Sequence, residues 1–392
     1  MLISIAYILL VGMFMGWLCS KIKLPSLLGM IITGIVLGPY VLNLIDDSIL
    51  GISADLRKIA LIIILTRAGL TLNINDLKKV GRSAILMCFL PATFEIIGMV
   101  LLAPKLLSVS VLEAAVIGAV VAAVSPAVIV PKMIKLTEEG YGTKKGIPQM
   151  ILAGASVDDV YVIVLFAAFT GLLQGEKVSV MSFVNIPISI CLGIIIGILL
   201  GYVLAKFFKK FHIRDTAKVI IVLCLSFILV TAEDKITGVI TFSALISIMF
   251  VGVSLQKYRS EVAKRLSVKF NKLWVCAEVI LFVLVGATVD IHYVSKAGIA
   301  AVILIFGVLC FRVLGVFLCM LKTDLSMKER VFCMIAYTPK ATVQAAIGGV
   351  PLAMGLSCGN IVLTVAVLAI LITATLGAFL IDVTYKKLLC KE

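Results

Sequence analysis

The sequence predicts an all-α membrane protein of about thirteen transmembrane helices. Of its 392 residues, 62% are hydrophobic and only 14% are charged, against about 45–50% and about 25% in ordinary soluble domains. Apolar runs of about 20 residues, the length that crosses the hydrocarbon of a bilayer, follow one another along the chain. Connections that are rich in basic residues alternate with connections that are poor in them. Together these observations exclude a soluble enzyme, a disulfide-stapled secreted domain and a disordered chain.

Polar clusters, prolines and glycines divide the chain into thirteen apolar segments. The predicted spans are approximately 2–19, 26–44, 54–72, 82–103, 109–135, 147–174, 180–205, 217–233, 237–256, 273–290, 297–321, 330–355 and 360–385. No connection between them is long enough for a soluble domain. We therefore expect a single membrane transporter unit over 1–392, without a soluble regulatory domain.

The basic residues indicate the orientation of the chain. Odd-numbered connections and the C-terminal tail carry 26 of the 35 lysines and arginines, whereas even-numbered connections carry six. The richest connection is 257–272. Because basic residues in short loops collect on the cytoplasmic side, we expect the N-terminus outside and the C-terminus in the cytoplasm. The net charge of +14 is thus a topology signal, and we expect no nucleic-acid partner.

Cysteines and targeting signals add little to this prediction. The ten cysteines lie mostly inside apolar runs, with no Cys-x-x-Cys pair and only two histidines elsewhere, so we interpret them as buried free thiols. The first apolar run has no preceding basic region and no small-residue cleavage site, which favours a retained first span. We expect no cofactor and no enzymatic activity.

Two spans are interrupted by similar proline-containing sequences, SPAVIVP at 125–131 and TPKATVQ at 338–344. Proline at membrane depth removes a helix hydrogen bond, and the freed backbone groups are tolerated only inside protein or beside water. The motifs are seven spans apart, and an odd offset inverts the second copy. The residues expected at the breaks are Pro126, Pro131, Thr338 and Pro339. Such paired interruptions in inverted repeats indicate a secondary transporter with a midplane site; two unrelated kinks are the alternative.

Five charged residues fall deep inside predicted spans: Glu95, Asp158, Asp159, Arg312 and Lys340. A charge at the bilayer centre costs about 2.5–3.5 kcal/mol, so such groups normally face a cavity and serve a function. The two adjacent aspartates cannot both ionise cheaply in a low dielectric, and their protons come off in coupled steps. Such a pair binds either a proton or a small hard cation such as Na⁺ or Li⁺, which prefers oxygen ligands. Competition between the two for one carboxylate is sufficient for antiport.

Neighbouring helix residues point about 100° apart, so the two aspartates have different surroundings. One can line an aqueous cavity while the other, Asp158, pairs with Lys340 or Arg312. Ser156 and the loosened carbonyls near Ser125 and Pro126 are candidates for the remaining oxygen ligands. A buried ion pair that only holds helices together is the alternative for both aspartates.

The other buried charges have two interpretations each. The repeat offset maps Glu95 onto position 308, one helical turn from Arg312, and a Glu–Arg pair here is either a fixed brace or a switch. Lys340 either offsets the C-terminal dipole of a half-helix or neutralises an empty aspartate pair; a lysine that extends to the interface is the alternative. In the seventh span, Gly193 and Gly197 begin a stripe of small residues that predicts close packing, within one protomer or between two.

These residues resemble the sodium/proton antiporters of the cation:proton antiporter 2 group, over nearly the whole chain. The stretch 33–39 looks like the early Gly-Pro span of that family, and 68–70 like the signature that follows it. The aspartates at 158–159 match the paired aspartates of its ion site. The motifs at 125–131 and 339–348 look like its NHA branch, which includes animal members and bacterial relatives.

The resemblance implies the antiporter fold, with two crossed broken helices. It implies a core domain, approximately 82–174 and 297–385, that moves in an elevator motion against a dimerisation domain, approximately 1–72 and 180–290, in a homodimer. The partners it implies are small cations, protons and the lipid bilayer. Short loops and an Ile/Lys-rich composition favour a bacterial inner membrane.

The same resemblance assigns roles to single residues. Asp159 carries the transported ion or proton, Asp158 assists, and Glu95 pairs with Arg312. Arg312 stands where many two-aspartate bacterial members have a lysine, which leaves the stoichiometry open.

The expected function is exchange of Na⁺ or Li⁺ for H⁺. K⁺/H⁺ exchange and ion-coupled symport of an organic anion by the same fold are alternatives. An intramembrane aspartyl protease needs its two aspartates on separate helices, one of them in a Gly-x-Gly-Asp setting, and neither condition holds for the adjacent aspartates of this sequence. A channel needs no proton-coupled carboxylate.

Overall fold

The computed structural model describes residues 1–22, 24–71, 81–174, 180–211, 213–235 and 242–391. The described residues form α-helices and connecting turns, without a β-sheet. They fall into two compact units. The first unit lies within Met1–Ala54, Asp76–Gln174 and Val279–Glu392, and the second within Asp55–Asn75 and Gly175–Glu278.

Eighteen α-helices lie in the described part of the chain. In chain order they are α1 (Leu2–Lys21), α2 (Ser26–Leu37), α3 (Asp47–Gly51), α4 (Ser53–Thr71), α5 (Arg82–Met87), α6 (Leu90–Leu107), α7 (Val111–Ala122), α8 (Pro126–Glu139), α9 (Ile147–Leu173), α10 (Val180–Lys210), α11 (Asp215–Lys235), α12 (Ala244–Tyr258), α13 (Ser260–Ala287), α14 (Ile291–Cys319), α15 (Met327–Ala336), α16 (Thr342–Ile347), α17 (Val350–Ala353) and α18 (Gly359–Leu388). The second unit contains nearly all of α4, the helices α10, α11 and α12, and α13 as far as Glu278.

Each of the thirteen predicted spans overlaps a helix of the described residues, and the first residues of the ninth span, 237–241, lie outside the described part of the chain. Among the described residues, nine helical segments are long and apolar enough to cross a membrane, and α2, α12 and the pair α16–α17 are shorter apolar helices. The remaining span, α4, includes four charged residues. The fifth and twelfth spans are broken at the predicted motifs, between α7 and α8 and between α15 and α16. This arrangement confirms the predicted all-α membrane architecture with two broken helices.

The basic stretch 257–272 is not the predicted connection. Helix α13 begins at Ser260, thirteen residues before the predicted start of the tenth span. Val262, Leu266 and Phe270 recur every four residues and are buried, whereas the charged residues between them are exposed. The prediction was wrong because a cluster of charges ends an apolar run but does not end an amphipathic helix.

The fourth span is also interrupted, which the sequence analysis did not predict. Helix α5 ends at Met87, and α6 begins at Leu90 with Pro91 in its first turn. Proline has no backbone N–H and is well tolerated at a helix start, where that group has no partner. Pro91 therefore begins a new helix here instead of lying inside one.

The two broken helices of the first unit meet at their breaks. The N–H of Ser125, between α7 and α8, donates to the carbonyl of Pro339, between α15 and α16, at 2.8 Å. Helix α6 packs against α7 and α14, α9 packs against α7 and α8, and α18 packs against α14 and α15. The non-helical backbone therefore lies among helices of the same unit, where protein groups can satisfy it.

In the second unit, a glycine stripe of α10 packs against α12. A Cβ atom added at Gly193, Gly197 or Gly201 would lie 2.5–2.7 Å from a backbone oxygen of α12 or of its N-cap. The hydroxyl of Ser247 donates to the carbonyl of Gly193 at 3.0 Å across this contact. Of the two predicted uses of the stripe, the structure shows packing within one chain.

We predict that Gly197→Ala destabilises the protein. Its Cβ would lie 2.5 Å from the Ser247 carbonyl oxygen and 2.7 Å from Phe250 Cβ, so the helices must separate, at a cost of about 1–3 kcal/mol. Thermal unfolding of the purified protein in detergent measures the effect. Gly51→Ala is the matched control, because nothing lies within 4 Å of a Cβ at that position. Equal melting temperatures for the two variants would contradict the prediction.

Candidate ion-binding site

Arg312 of α14 binds the C-terminal ends of both broken helices. It is completely buried. Its Nε donates to the Tyr337 carbonyl at the end of α15, at 2.6 Å, and its Nη1 donates to the Ala122 carbonyl at the end of α7. The last carbonyls of a helix lack intrahelical partners and carry partial negative charge. One guanidinium therefore satisfies both ends, with its centre 5.1 Å from the centroid of the Tyr337 ring.

Glu95 of α6 bridges two buried cations. Its Oε2 accepts from Nη1 of Arg312 and from Nζ of Lys340, both at 2.8 Å, and its Oε1 lies 2.7 Å from the same Nζ. Nζ of Lys340 also donates to the Val121 carbonyl of α7 at 2.8 Å. The contact between Glu95 and Arg312 that the resemblance implied is present. Lys340 is completely buried, so the alternative in which it extends to the interface is wrong.

The two aspartates on α9 have different surroundings. Asp158 is completely buried, and its Oδ2 accepts from the backbone N–H of Val124 at 2.8 Å and lies 3.3 Å from Nη2 of Arg312. Asp159 is 9% exposed. Its Oδ1 is buried and accepts no hydrogen bond from the described residues. One carboxylate is thus held by the protein, while the other offers an oxygen to a proton or a cation.

Carbonyls at the first break, which are candidate ion ligands, accept hydrogen bonds from protein donors. The carbonyls of Val121, Ala122 and Ala123 accept hydrogen bonds from Lys340, Arg312 and Gln344, and the Ser125 carbonyl accepts from a backbone N–H of α8. Gln344 reaches Ala123 at 2.7 Å. A loosened carbonyl inside protein accepts from donors nearby, here from side chains near the second break. A carbonyl oxygen has two lone pairs, so a role of these carbonyls as cation ligands stays a prediction.

Several buried side-chain oxygens lack hydrogen bonds within the described residues of this unit. They are Ser125 Oγ, Asp158 Oδ1, Asp159 Oδ1, Thr342 Oγ1 and Gln344 Oε1. Glu95 Oε1 on α6 is a further such oxygen, 2.7 Å from Nζ of Lys340, and the others belong to the breaks, to the first residues of α16 or to the aspartate pair. The predicted ligand Ser156 lies on α9, and its side chain is outside the described part of the structure. Oxygen atoms for a small hard cation are thus available from side chains.

The predicted break residues have distinct local roles. Pro126 is the first residue of α8, and Pro131 lies inside that helix. Pro339 supplies the carbonyl that Ser125 binds. The Thr338 hydroxyl donates to the Ile335 carbonyl at 2.8 Å, which satisfies one more group at the end of α15.

The sequence analysis gave no role to three residues of this region. Gln344 binds the first break, Tyr337 accepts from Arg312, and Thr373 of α18 accepts from the backbone N–H of Lys340 at 3.0 Å. Gln344 carried a usable signal, since it is a polar residue in an apolar span two residues after Thr342. Tyr337 and Thr373 are compatible with lipid or protein surroundings and carried none.

Comparison with known proteins identifies the family. The family model for the transmembrane part of sodium/hydrogen exchangers matches residues 6–387. The chain belongs to the sodium/hydrogen exchanger family. This family consists of transporters, so the chain is a multi-pass membrane transporter and not an enzyme.

Relatives in this exchanger family cover most of the chain. It is 33% identical to human sodium/hydrogen exchanger 9B2 over 387 residues, which is 94% of this chain and 70% of that protein. It is 30% identical to human sodium/hydrogen exchanger 9B1, over 94% of this chain and 73% of the relative. The solved structure of the sodium proton antiporter MjNhaP1 from Methanocaldococcus jannaschii superposes with a TM-score of 0.86 over 99% of both chains, at 21% identity. The predicted antiporter fold is thereby confirmed.

We predict that Glu95→Gln strongly destabilises the protein, because it leaves Arg312 and Lys340 buried with one carboxylate fewer. Removing one partner of a buried ion pair costs about 3–5 kcal/mol. Adding Lys340→Met to Glu95→Gln should recover part of the loss. Thermal unfolding in detergent measures both effects.

Asp382→Asn is the control for this prediction. It removes a carboxylate that pairs with Lys132, where both side chains are partly exposed, and such pairs contribute only about 0–1 kcal/mol. If Glu95→Gln unfolded at the same temperature as Asp382→Asn, the assignment of Glu95 as the shared counter-ion would be contradicted.

Proposed function

We propose that the chain exchanges Na⁺ or Li⁺ for H⁺, with Asp159 as the shared binding group and Asp158 assisting. The observation that carries the proposal is the buried Asp159 Oδ1 without a hydrogen bond from the described residues, beside an Asp158 held by Arg312 and Val124. A carboxylate with a free oxygen binds one monovalent cation at a time, so H⁺ and Na⁺ compete for it. Membership of the sodium/hydrogen exchanger family supports this chemistry.

The proposed cycle follows from that competition. Protonated Asp159 opens to one side of the membrane, releases H⁺, binds the metal cation and is carried to the other side. By resemblance, the moving part is the core domain, approximately 82–174 and 297–385, and the static part is the dimerisation domain, approximately 1–72 and 180–290. An elevator motion within a homodimer, a bacterial inner membrane and a cytoplasmic C-terminus belong to the same proposal.

We further propose a stoichiometry of one H⁺ for each Na⁺. The cluster at the two breaks buries three carboxylates (Glu95, Asp158 and Asp159) with two cationic side chains (Arg312 and Lys340). With the four paired groups ionised, the cluster carries one negative charge when Asp159 is empty. One proton or one Na⁺ on Asp159 makes it neutral, and a neutral cluster crosses low dielectric at the lowest cost. Both half-cycles therefore move no net charge.

We predict that Asp159→Asn abolishes Na⁺/H⁺ and Li⁺/H⁺ exchange, because an amide does not bind and release a proton in the pH range in which a carboxylate does. The measurement is dequenching of a pH-sensitive dye in proteoliposomes after addition of NaCl, LiCl or KCl. Asp382→Asn is the matched control and should keep at least half of the wild-type rate.

Two outcomes would count against this proposal. Full pH-dependent Na⁺ exchange by Asp159→Asn would remove Asp159 from the ion site. If the wild-type protein responded to KCl but not to NaCl or LiCl, the proposal would change from Na⁺/H⁺ exchange to K⁺/H⁺ exchange at the same carboxylate.

We predict that the rate of Na⁺/H⁺ exchange is independent of membrane potential. One net charge moved per cycle would change the driving force by about 2.3 kcal/mol for each 100 mV, whereas neutral exchange should change by less than about twofold at an imposed potential of that size. Proton flux in proteoliposomes, with the potential clamped at zero, set inside-negative or set inside-positive by an ionophore, distinguishes neutral from charge-moving exchange. Acceleration at one polarity and slowing at the other would show a different stoichiometry.

A further inference from the structure

Gln344, just after the second break, connects the two breaks by hydrogen bonds. It is completely buried on α16. Its Nε2 donates to two carbonyls of the first break, Val121 at 3.1 Å and Ala123 at 2.7 Å. Both partners can only accept, so the NH₂ group of the carboxamide must face them and the orientation of the amide is settled. Gln344 is thus a donor from one break to the backbone of the other.

The peptide group that Gln344 binds is the one that also binds Asp158. Its carbonyl, from Ala123, accepts from Gln344, and its N–H, from Val124, donates to Oδ2 of Asp158 at 2.8 Å. A peptide group is planar, so the direction of the carbonyl sets the direction of the N–H. Ala123 is the C-cap of α7 and has extended backbone angles, so no helical hydrogen bond holds this peptide in place. The hydrogen bond from Gln344 fixes the orientation of this peptide group in place of a helical hydrogen bond.

We propose that Gln344 is a positioning residue for the ion site, acting through the peptide between Ala123 and Val124. It keeps the Val124 N–H directed at Asp158, and it thereby keeps Asp158 in place beside Asp159. This inference rests on the proposed function of the aspartate pair. The second contact of Asp158, with Nη2 of Arg312 at 3.3 Å, is longer than the first, so the peptide N–H is the closer of the two constraints on Asp158.

The role requires the two donors of Gln344 and not its acceptor, and three substitutions separate these properties. Gln344→Met keeps the approximate length and loses the donors. Gln344→Glu keeps an acceptor and replaces the two N–H donors by a carboxyl that has one O–H donor when protonated and none when ionised. Gln344→Asn keeps the donors on a side chain one methylene shorter.

The measurement is Na⁺- and Li⁺-dependent proton flux in proteoliposomes, analysed as apparent KM and maximal rate. We expect Gln344→Met and Gln344→Glu to raise the KM for both cations about tenfold, the size expected for a lost buried hydrogen bond that holds a ligand group. Their maximal rates should stay within about threefold of wild type, because Asp159 itself is intact. Gln344→Asn should raise the KM less than either.

Gln256→Met is the matched control. Gln256 is a partly buried glutamine on α12 in the second unit, and its Oε1 has no hydrogen bond within the described residues. The control should leave the KM unchanged. Thermal unfolding of each variant separates loss of the fold from loss of the site.

Three results would overturn the inference. A wild-type KM in Gln344→Met would remove the role altogether. A wild-type KM in Gln344→Glu at a pH where the introduced carboxyl is ionised, together with a raised KM in Gln344→Met, would assign the role to the acceptor oxygen. Failure of all three variants to fold, with a folded control, would make Gln344 a structural residue. Absence of Na⁺- and Li⁺-dependent flux in the wild type is a separate result, which counts against the proposed function.

Discussion

Two half-helices end inside the first unit with their C-terminal carbonyls turned toward the same region. These carbonyls carry partial negative charge and have no intrahelical donors, and water is scarce at membrane depth. Arg312 donates to the ends of both α7 and α15, and Lys340 donates to the end of α7. Two full positive charges are thereby buried, and Glu95 and Asp158 lie beside them as counter-ions. The breaks therefore require cationic donors, and the buried cations in turn require carboxylates as counter-ions.

This arrangement has one carboxylate more than it has cations. Glu95 is shared between Arg312 and Lys340, and Asp158 is bound by Arg312 and by a backbone N–H. Asp159 is adjacent in sequence but lies on a different side of the helix, where no described donor reaches its Oδ1. A fixed brace would satisfy every charge. Asp159 is the carboxylate of the cluster without an ion pair to a described cation. In the proposed function it is therefore the group that exchanges partners, while the paired groups hold the broken helices together.

Much of the fold follows from local sequence. Every predicted span overlaps a helix of the described residues, because a helix satisfies the backbone groups of an apolar run within the run itself. The breaks at Pro126 and Pro339 were predictable, because proline cannot continue a helix through its own backbone hydrogen bond. The early start of α13 was missed, because its charges lie on one exposed face and its buried face repeats only every three to four residues. The break before Pro91 was also missed, since a single proline in an apolar run does not show whether one helix continues through it or a new helix begins there.

The sequence by itself determined which residues are candidates for the chemistry, because five charges in apolar spans have no ordinary explanation. It did not determine how they combine. Lys340 was a candidate partner for the aspartates, and the structure pairs it with Glu95. The carbonyls at the first break were candidate ligands, and the structure gives them to Lys340, Arg312 and Gln344. Such pairings join residues more than 150 positions apart, and only the crossing of the two broken helices brings them within hydrogen-bonding distance.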